Sequence, residues 1–464
     1  MKRVPWVLCA ALGLGLGPAP SSLGQGLDDV LLEVDDLYAE TRYYEALDRA
    51  AEACDDFPSS AAARSLLGRI LFKVARFEEA RAVFEEAVAL DPYEFWAHYG
   101  LGLYHLTDGE PERAIDEFLI ARDLWPEHEL PHLMLARACE TLDRYADAAT
   151  WMETAIGVIE QSGRDPAPSL GSERDRIAFL ADRRPYRVAP GFERTTVAME
   201  AGRPVVTVGL GGQETGRFLL DTVGARAMVA HPDVIRGAPG ERMATLDDAG
   251  PGIRASRLML LDRIQIGEMA VEDVPCLVTE RFFLGGVDGV IGLPLLRRFA
   301  WSFDFERGEV TVRDPRLDTG WESQFGRERV VSKFYPGGPV MVPAVFCEER
   351  PAVLILDTGS DALSLDHGFF EREVESLLLL EWHEEVAARD SPHGAHPILD
   401  VNVPSVSMEG RIILEDVRAR TYAREGVQRR VGVAAPGLVG LTLLRPWIVD
   451  LDFLHHTVTL WKRA

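Results

Sequence analysis

With 464 residues, the chain is long enough for about two to four domains at roughly 150 residues each. Its composition, with 47% hydrophobic and 27% charged residues, is that of folded domains and excludes a disordered chain. A net charge of -25 excludes nucleic acid and anionic membrane surfaces as main partners, because phosphate recognition requires a basic patch.

The first 24 residues have the pattern of a secretory signal peptide. Lys2 and Arg3 precede an apolar stretch at 4–17, which is followed by the small-residue segment Ser22-Leu23-Gly24. The apolar stretch is shorter than the roughly 20 residues of a membrane-spanning helix, and no later segment reads as a span. We therefore predict export, to the periplasm or outside the cell, of a protein without a membrane span.

Export would place four cysteines in an oxidising compartment, where disulfides can form. Their scattered positions do not resemble a disulfide framework, so we predict that each serves as a small buried apolar side chain. The four are Cys54, Cys139, Cys276 and Cys347.

Residues 27–160 repeat with a period of 34. Proline holds one register of the repeat, and small residues hold three others. The registers are Pro58, Pro92 and Pro126; Gly68, Gly102 and Ala136; Ala46, Ala80, Ala114 and Ala148; and Ala53, Ala87, Ala121 and Ala155. Small residues permit two antiparallel helices to cross closely, and proline ends the second helix because it lacks an N–H.

This pattern resembles the tetratricopeptide repeat, a helix-turn-helix unit of 34 residues. It predicts an all-α solenoid of four units. The resemblance implies a concave surface that holds a peptide or protein partner. The following segment, 161–188, is rich in Pro, Gly, Ser and charge and is predicted to be a linker, with a short helix at 174–181.

Beyond residue 190 the hydrophobic pattern changes to short strands in two similar β-rich regions, 190–316 and 328–464. A helix at 371–386 is predicted as an insertion in the second region, and the segments 236–253 and 388–397 are candidate substrate-covering flaps. The predicted strands are 204–210, 217–221, 257–266, 271–279, 300–305 and 309–313 in the first region, and 340–346, 352–357, 401–408, 411–419, 447–453 and 457–461 in the second.

Each region contains an apolar strand that ends in a carboxylate. The second reads Ala352-Val353-Leu354-Ile355-Leu356-Asp357-Thr358-Gly359-Ser360, and the first reads Phe218-Leu219-Leu220-Asp221-Thr222-Val223-Gly224-Ala225. A carboxylate directly behind a buried strand has a desolvation cost, so it requires a partner or a function.

A second motif follows each of these strands. The first copy is Val290-Ile291-Gly292-Leu293-Pro294-Leu295-Leu296-Arg297, and the second is Leu438-Val439-Gly440-Leu441-Thr442-Leu443-Leu444-Arg445. The two copies align without a gap, and Asp304 and Asp452 follow them at the same offset. Two motifs in the same order, each present twice, indicate an internal duplication.

Residues 190–464 resemble the aspartic proteases, both the bilobal pepsin-like and the half-sized retropepsin-like kind. The resemblance implies two tandem all-β lobes whose Asp-Thr-Gly turns meet at a pseudo-twofold axis. It assigns Asp357 and Asp221 as a catalytic dyad, with Thr358, Gly359, Ser360, Thr222 and Gly224 supporting the turns. The implied reaction is hydrolysis of peptide bonds by an activated water, without a metal or cofactor.

The first lobe departs from the family pattern at Val223, where the motif has glycine. Either Val223 replaces that glycine, or it is inserted before Gly224-Ala225. A β-branched residue resists unusual backbone angles and adds bulk where two turns should touch.

Three interpretations follow. The first is an exported endopeptidase with an internal dyad, whose repeats recruit substrate or a protein partner. The second is a site in lobe two that is completed by another copy of the chain. The third is a weak or inactive protease-like protein that binds peptides or acts as a scaffold.

Overall fold

The computed structural model describes residues 26–200, 202–211, 214–246, 256–279, 286–318, 320–325, 328–374, 383–391, 394–422, 433 and 435–462. The predicted signal peptide and residues 247–253 of the first predicted flap lie outside the described residues. Among the residues described, no helix has the length and hydropathy to cross a membrane.

An all-α solenoid occupies the N-terminal part of the described chain, and its first eight helices form four antiparallel pairs. The helices are α1 (Leu27–Ala39), α2 (Tyr43–Asp56), α3 (Ala61–Lys73), α4 (Phe77–Leu90), α5 (Phe95–Thr107), α6 (Pro111–Leu124), α7 (Glu129–Thr141) and α8 (Tyr145–Gln161). Each tight turn inside a pair contains one residue with positive φ, and these residues, Thr41, Ala75, Gly109 and Asp143, recur with the period of the repeat.

The small residues of the repeat lie where large rings pack. A Cβ at Gly68 would lie 2.6 Å from the Phe84 ring, and a Cβ at Gly102 would lie 2.6 Å from Cδ1 of Phe118. Phe84 and Phe118 are both fully buried. The periodic glycines are therefore explained by close packing between helices.

The segment predicted as a linker contains a further helix, α9 (Pro168–Leu180), which starts earlier than the short helix expected there. It packs on α8 and buries Ile177 and Leu180. Pro168 opens the helix, as suits a residue without an N–H at the first turn.

The described part of the first β unit contains eleven strands and a short helix. They are β1 (Arg187–Val188), β2 (Arg194–Ala198), β3 (Val205–Gly209), β4 (Thr215–Leu220), β5 (Met228–Ala230), β6 (Gly240–Leu246), β7 (Ser256–Ile266), β8 (Met269–Val278), β9 (Gly289–Ile291) and α10 (Leu293–Leu296), followed by β10 (Ala300–Asp304) and β11 (Glu309–Arg313). One sheet has the order β1-β8-β5-β9-β4-β3-β7-β6 and closes on itself through a pairing of β7 with β8.

The second β unit repeats this topology. Its strands are β12 (Arg329–Lys333), β13 (Met341–Phe346), β14 (Arg350–Asp357), β15 (Leu363–Asp366), β16 (His383–Ser391), β17 (Gly394–Met408), β18 (Arg411–Tyr422), β19 (Gly437–Gly440), β20 (Trp447–Asp452) and β21 (Thr457–Lys462). The order β13-β14-β19-β15-β18-β17-β16, closed by β13 on β17, matches strand for strand the ring of the first unit. Both sheets are barrel-like.

A third sheet joins the two units, with the order β12-β21-β20-β10-β11-β2. Each unit supplies three of these strands, and the central pair, β10 with β20, aligns Ala300 with Asp452 and Trp301 with Leu451. The duplication predicted from sequence is therefore also present in the strand topology.

Two further expectations can be compared with the described residues. The end of the predicted helix at 371–386 is wrong, because residues from His383 onward form β16, which pairs with β17. A short helical turn, Phe370–Val374, lies at its start, and residues 375–382 lie outside the described residues. The four cysteines are free thiols. The prediction that each is buried is confirmed for Cys139 and Cys276 and is wrong for Cys54 and Cys347, which are partly exposed.

Candidate active site

The two Asp-Thr turns meet through a reciprocal set of hydrogen bonds between threonines. The backbone N–H of Thr222 donates to Oγ1 of Thr358 at 2.9 Å, and the N–H of Thr358 donates to Oγ1 of Thr222 at 3.1 Å. Each hydroxyl then donates to a carbonyl of the opposite unit, Thr222 to Leu356 at 2.7 Å and Thr358 to Leu220. Both threonines are only 1% exposed. The turns are thus joined symmetrically in a buried junction.

Asp221 and Asp357 directly precede these threonines, so both enter the same junction at the ends of parallel-paired strands. Strand β4 pairs with β9, and β14 pairs with β19 in the equivalent register. Each carboxylate accepts a hydrogen bond from its own turn, from the N–H of Val223 at 2.8 Å and from the N–H of Gly359 at 2.7 Å. These bonds orient one oxygen of each carboxylate in the same way.

The second motif lies directly beneath each turn. A Cβ at Gly292 would overlap the carbonyl of Gly224, and a Cβ at Gly440 would overlap the carbonyl of Ser360. The N–H of Gly292 donates to Ala227 at 3.0 Å, and the N–H of Gly440 donates to Ala362 at 3.0 Å. Only glycine permits this backbone approach, which explains why both motifs contain it.

The turn of the first unit is one residue longer than that of the second. Met228 pairs with Ile291 seven positions after Asp221, whereas Leu363 pairs with the equivalent Val439 six positions after Asp357. Val223 nevertheless occupies the hydrogen-bonding place of Gly359. The turn of the first unit therefore contains one inserted residue relative to the second, and this residue lies between Val223 and β5.

Helix α9 is tied to this longer turn by a salt bridge. Arg226 donates to Glu173 at 2.7 Å, and Arg176 of the same helix donates to Glu173 at 3.0 Å and is also paired with Glu140. Burial alone would raise the pKa of Glu173, but the two guanidinium groups outweigh it and lower the pKa to about 2. Sequence reasoning missed this contact, because Arg226 and Glu173 are far apart along the chain.

The solenoid covers one side of the second unit near these turns. Phe77 and Tyr104 of the solenoid are buried with Met341, Val353 and Ile355 of β13 and β14, and Phe77 contacts the ring of Tyr335 at 4.8 Å between centroids. Val223 and Phe72 pack against the same cluster. Val223 is an apolar residue in an otherwise polar turn, and it is the one signal in the sequence that could have indicated a contact between this turn and the solenoid.

The predicted flaps correspond in part to antiparallel hairpins. Residues 240–246 belong to β6, which pairs with β7, and 388–391 with 394–397 form the end of the β16–β17 hairpin. In the described parts of the chain, no group of three or more His, Cys, Asp or Glu side chains is placed to hold a metal ion.

Comparison with known proteins identifies the solenoid. The family model of the tetratricopeptide repeat matches residues 31–95 and 97–166. No curated protein matches the chain. Among solved structures, the chain is similar to MamA, with 20% identity over 30% of this chain and 80% of that one and a TM-score of 0.27.

A second similar structure is TTC0263, a thermophilic tetratricopeptide-repeat protein of Thermus thermophilus. Its identity is 19% over 34% of this chain and 84% of that one, with a TM-score of 0.30. The matched repeats indicate an interaction or scaffold role toward proteins. The N-terminal part of this chain is therefore a tetratricopeptide-repeat solenoid, as its sequence period predicts.

Proposed function

We propose that the two β units form an exported aspartic endopeptidase in which Asp221 and Asp357 are the catalytic pair. The observation that carries the proposal is the reciprocal hydrogen bonding of Thr222 and Thr358 across the junction. It supports the aspartic-protease fold that the duplicated motifs predict, because it joins two equivalent turns, each with a carboxylate at the same position.

The chemistry follows from two carboxylates that share one site. Like charges in close proximity cannot both ionise easily, so the pair holds one proton over a broad pH range. The ionised member removes a proton from the attacking water, while the protonated member donates a hydrogen bond to the peptide carbonyl. The water oxygen bonds to the carbonyl carbon to give a tetrahedral intermediate. The carboxyl that took the proton from the water then donates it to the leaving nitrogen, and the C–N bond breaks.

The proposal is tested by cleavage of an unfolded protein substrate between pH 3 and pH 8. Wild type is compared with Asp357→Asn and Asp221→Asn, and Asp262→Asn, on the exposed face of β7, is the matched control. We expect cleavage by wild type and the control, and loss in both site variants. Loss in Asp357→Asn alone would instead assign the activity to lobe two in a pair of chains, and sedimentation would then show a dimer.

A second candidate function is a binding or scaffold protein built on a degenerate site. Two observations favour it: the turn that follows Asp221 is one residue too long, and Val223 packs beside the solenoid cluster. Folded wild-type protein that cleaves nothing across the pH range, but captures an unfolded substrate, would support this function and overturn the first. Localisation is tested separately, by fractionating cells that express the chain with and without residues 1–24.

A further inference from the structure

The strand that carries Asp357 presents an apolar face on the same side as this carboxylate. Side chains alternate along a strand, so Val353 and Ile355 of β14 share a face with Asp357. Met341 of β13 and Leu438 of β19 both pair with Ile355 and extend this face on either side. We call these four apolar side chains, Met341, Val353, Ile355 and Leu438, the β14 patch.

The solenoid covers the β14 patch. Phe77, at the start of α4, is buried in one cluster with the patch, together with Ala75 and Tyr104 of the solenoid. Phe77 and Ile355, which lies at the centre of the patch, are both fully buried. The Phe77 ring also contacts the Tyr335 ring edge-on at 4.8 Å between centroids. An apolar surface beside the carboxylate is therefore filled by a side chain from the helical repeats.

This arrangement excludes a substrate side chain from the β14 patch. A peptide whose scissile bond lies at Asp357 must run along the same face of the sheet, so a side chain next to that bond would contact Ile355. In the structure Phe77 occupies this space. Val223, whose N–H donates to Asp221, packs against the same cluster, so the covered region reaches the turns of both units.

Polar contacts hold the solenoid in this position. Arg372 of the second unit donates to both carboxylate oxygens of Asp48 in α2, at 2.6 and 2.7 Å. The N–H of Gly337 donates to the carbonyl of Thr107, at the end of α5, at 3.0 Å. The solenoid also has buried clusters of its own, away from the β units. The contacts with the second unit can therefore break while the helical repeats remain folded.

We propose that the solenoid is an intramolecular inhibitor, in which Phe77 fills the β14 patch as a substrate side chain would, and that the site opens when the solenoid leaves the second unit. This inference rests on the proposed peptidase function and adds its regulation. Because only the open state admits substrate, the cleavage rate is proportional to the open fraction as long as the closed state predominates. A change that weakens docking tenfold therefore raises cleavage about tenfold.

Charge reversal at the contact of Asp48 with Arg372 tests the proposal in the full chain. Asp48→Arg replaces the ion pair with a repulsion, and the double variant Asp48→Arg with Arg372→Asp restores an attraction. Phe77→Ala removes the side chain that fills the patch. Asp147→Arg is the matched control, because Asp147 is half-exposed and pairs with Arg144 of the solenoid itself. Thermal unfolding confirms that each variant is folded.

Two properties are measured for each variant. The first is kcat/KM for cleavage of an unfolded protein substrate. The second does not depend on catalysis: oxidation of Met341 by dilute hydrogen peroxide, followed by mass spectrometry, reports whether the β14 patch is accessible, since Met341 is 3% exposed in the docked chain. Met269, fully buried in the first unit, is the internal reference and should remain unreactive.

We expect Asp48→Arg to raise both kcat/KM and the rate of Met341 oxidation by roughly three- to tenfold, because the loss of an exposed ion pair and the added repulsion are together of that order. Phe77→Ala should raise both by about tenfold or more, since a large buried apolar contact is lost. The double variant with Arg372→Asp should return both toward wild type, and Asp147→Arg should change neither.

The two measurements separate failure of this inference from failure of the peptidase function. Wild-type cleavage that does not rise when Met341 becomes reactive would overturn the inference alone. Unchanged oxidation of Met341 in both Asp48→Arg and Phe77→Ala would also overturn it, because these contacts would then not hold the solenoid on the patch. A reactive Met341 without cleavage by any variant would overturn the peptidase function, and the inhibition with it.

Discussion

Thr222 and Thr358 are 136 residues apart in sequence, yet each donates its N–H to the hydroxyl of the other. Each hydroxyl in turn donates to the strand that carries the partner threonine, Thr222 to Leu356 and Thr358 to Leu220. Four hydrogen bonds thus join the two units at this junction, in addition to the β10–β20 strand pair.

The first prediction concerns the hydroxyl of Thr358. Thr358→Val keeps the shape of the side chain but removes the hydrogen-bond partner of the Leu220 carbonyl and of the Thr222 N–H in a buried site. We therefore expect the free energy of unfolding to fall by about 2 kcal/mol. Urea unfolding measures it. Thr358→Ser should recover most of the loss, and Thr207→Val, at an exposed position of β3, should change stability by less than about 0.5 kcal/mol. Equal effects at 358 and 207 would contradict the role of the junction.

The second prediction concerns the close approach of Gly359 to Asp357. A Cβ at 359 would lie 3.1 Å from Oδ1 of Asp357, so Gly359→Ala should displace the carboxylate with little effect on the fold. If the proposed peptidase activity is present, we expect kcat to fall by about 10- to 100-fold, since misplacement of a catalytic group has effects of that order. Gly320→Ala, where a Cβ would meet no atom within 4 Å, is the control and should leave kcat unchanged. A Gly359→Ala chain with wild-type kcat would count against Asp357 as a catalytic group.

The sequence predicted those parts of the site that depend on local pattern. The turns at Asp221 and Asp357 each follow an apolar strand, and Gly292 and Gly440 each follow later in a second shared motif. This internal duplication indicated that Asp221 is equivalent to Asp357, and Gly292 to Gly440. The sequence left open whether Val223 is a replacement or an insertion. The answer depends on which residue after the turn pairs with Ile291 of β9, and that residue is Met228.

Contacts between remote elements were not predictable. The helix expected at 371–386 is replaced from His383 by a strand, because pairing with β17 overrides local helix propensity. The salt bridge of Glu173 with Arg226 and the packing of Phe77 on Tyr335 depend on how the solenoid docks against the β units. Nothing in either local sequence contains that information.

The third prediction is a pH dependence of stability through Glu173. Its pKa is lowered from 4.5 to about 2 in the folded chain, so its contribution is present above pH 4.5 and is lost as the pH falls toward 2. The shift corresponds to roughly 3 kcal/mol, which we reduce to about 1–2 kcal/mol because the side chain is 32% exposed. The free energy of unfolding should therefore decline less steeply between pH 4.5 and 2 in Glu173→Gln than in wild type.

Exposed acidic residues titrate in the same range, so this experiment requires a matched control. Glu160→Gln removes a carboxylate from the exposed face of α8. Its stability curve should run parallel to that of wild type. Parallel curves for Glu173→Gln as well would show that the Arg226 contact does not stabilise the folded chain.

The fourth prediction separates two glycines of the solenoid by what surrounds them. A Cβ at Gly102 would lie 2.6 Å from Cδ1 of the fully buried Phe118, whereas a Cβ at Gly157 in α8 would meet no atom within 4 Å. Gly102→Ala should therefore overpack the helix crossing and destabilise the chain by about 1–3 kcal/mol. Gly157→Ala should stabilise it by about 0.5–1 kcal/mol, because alanine has the higher helix propensity. Thermal unfolding of both variants against wild type checks the pair. A stabilising Gly102→Ala would show that the Phe118 ring can move, and that the repeat does not require a small residue at this register.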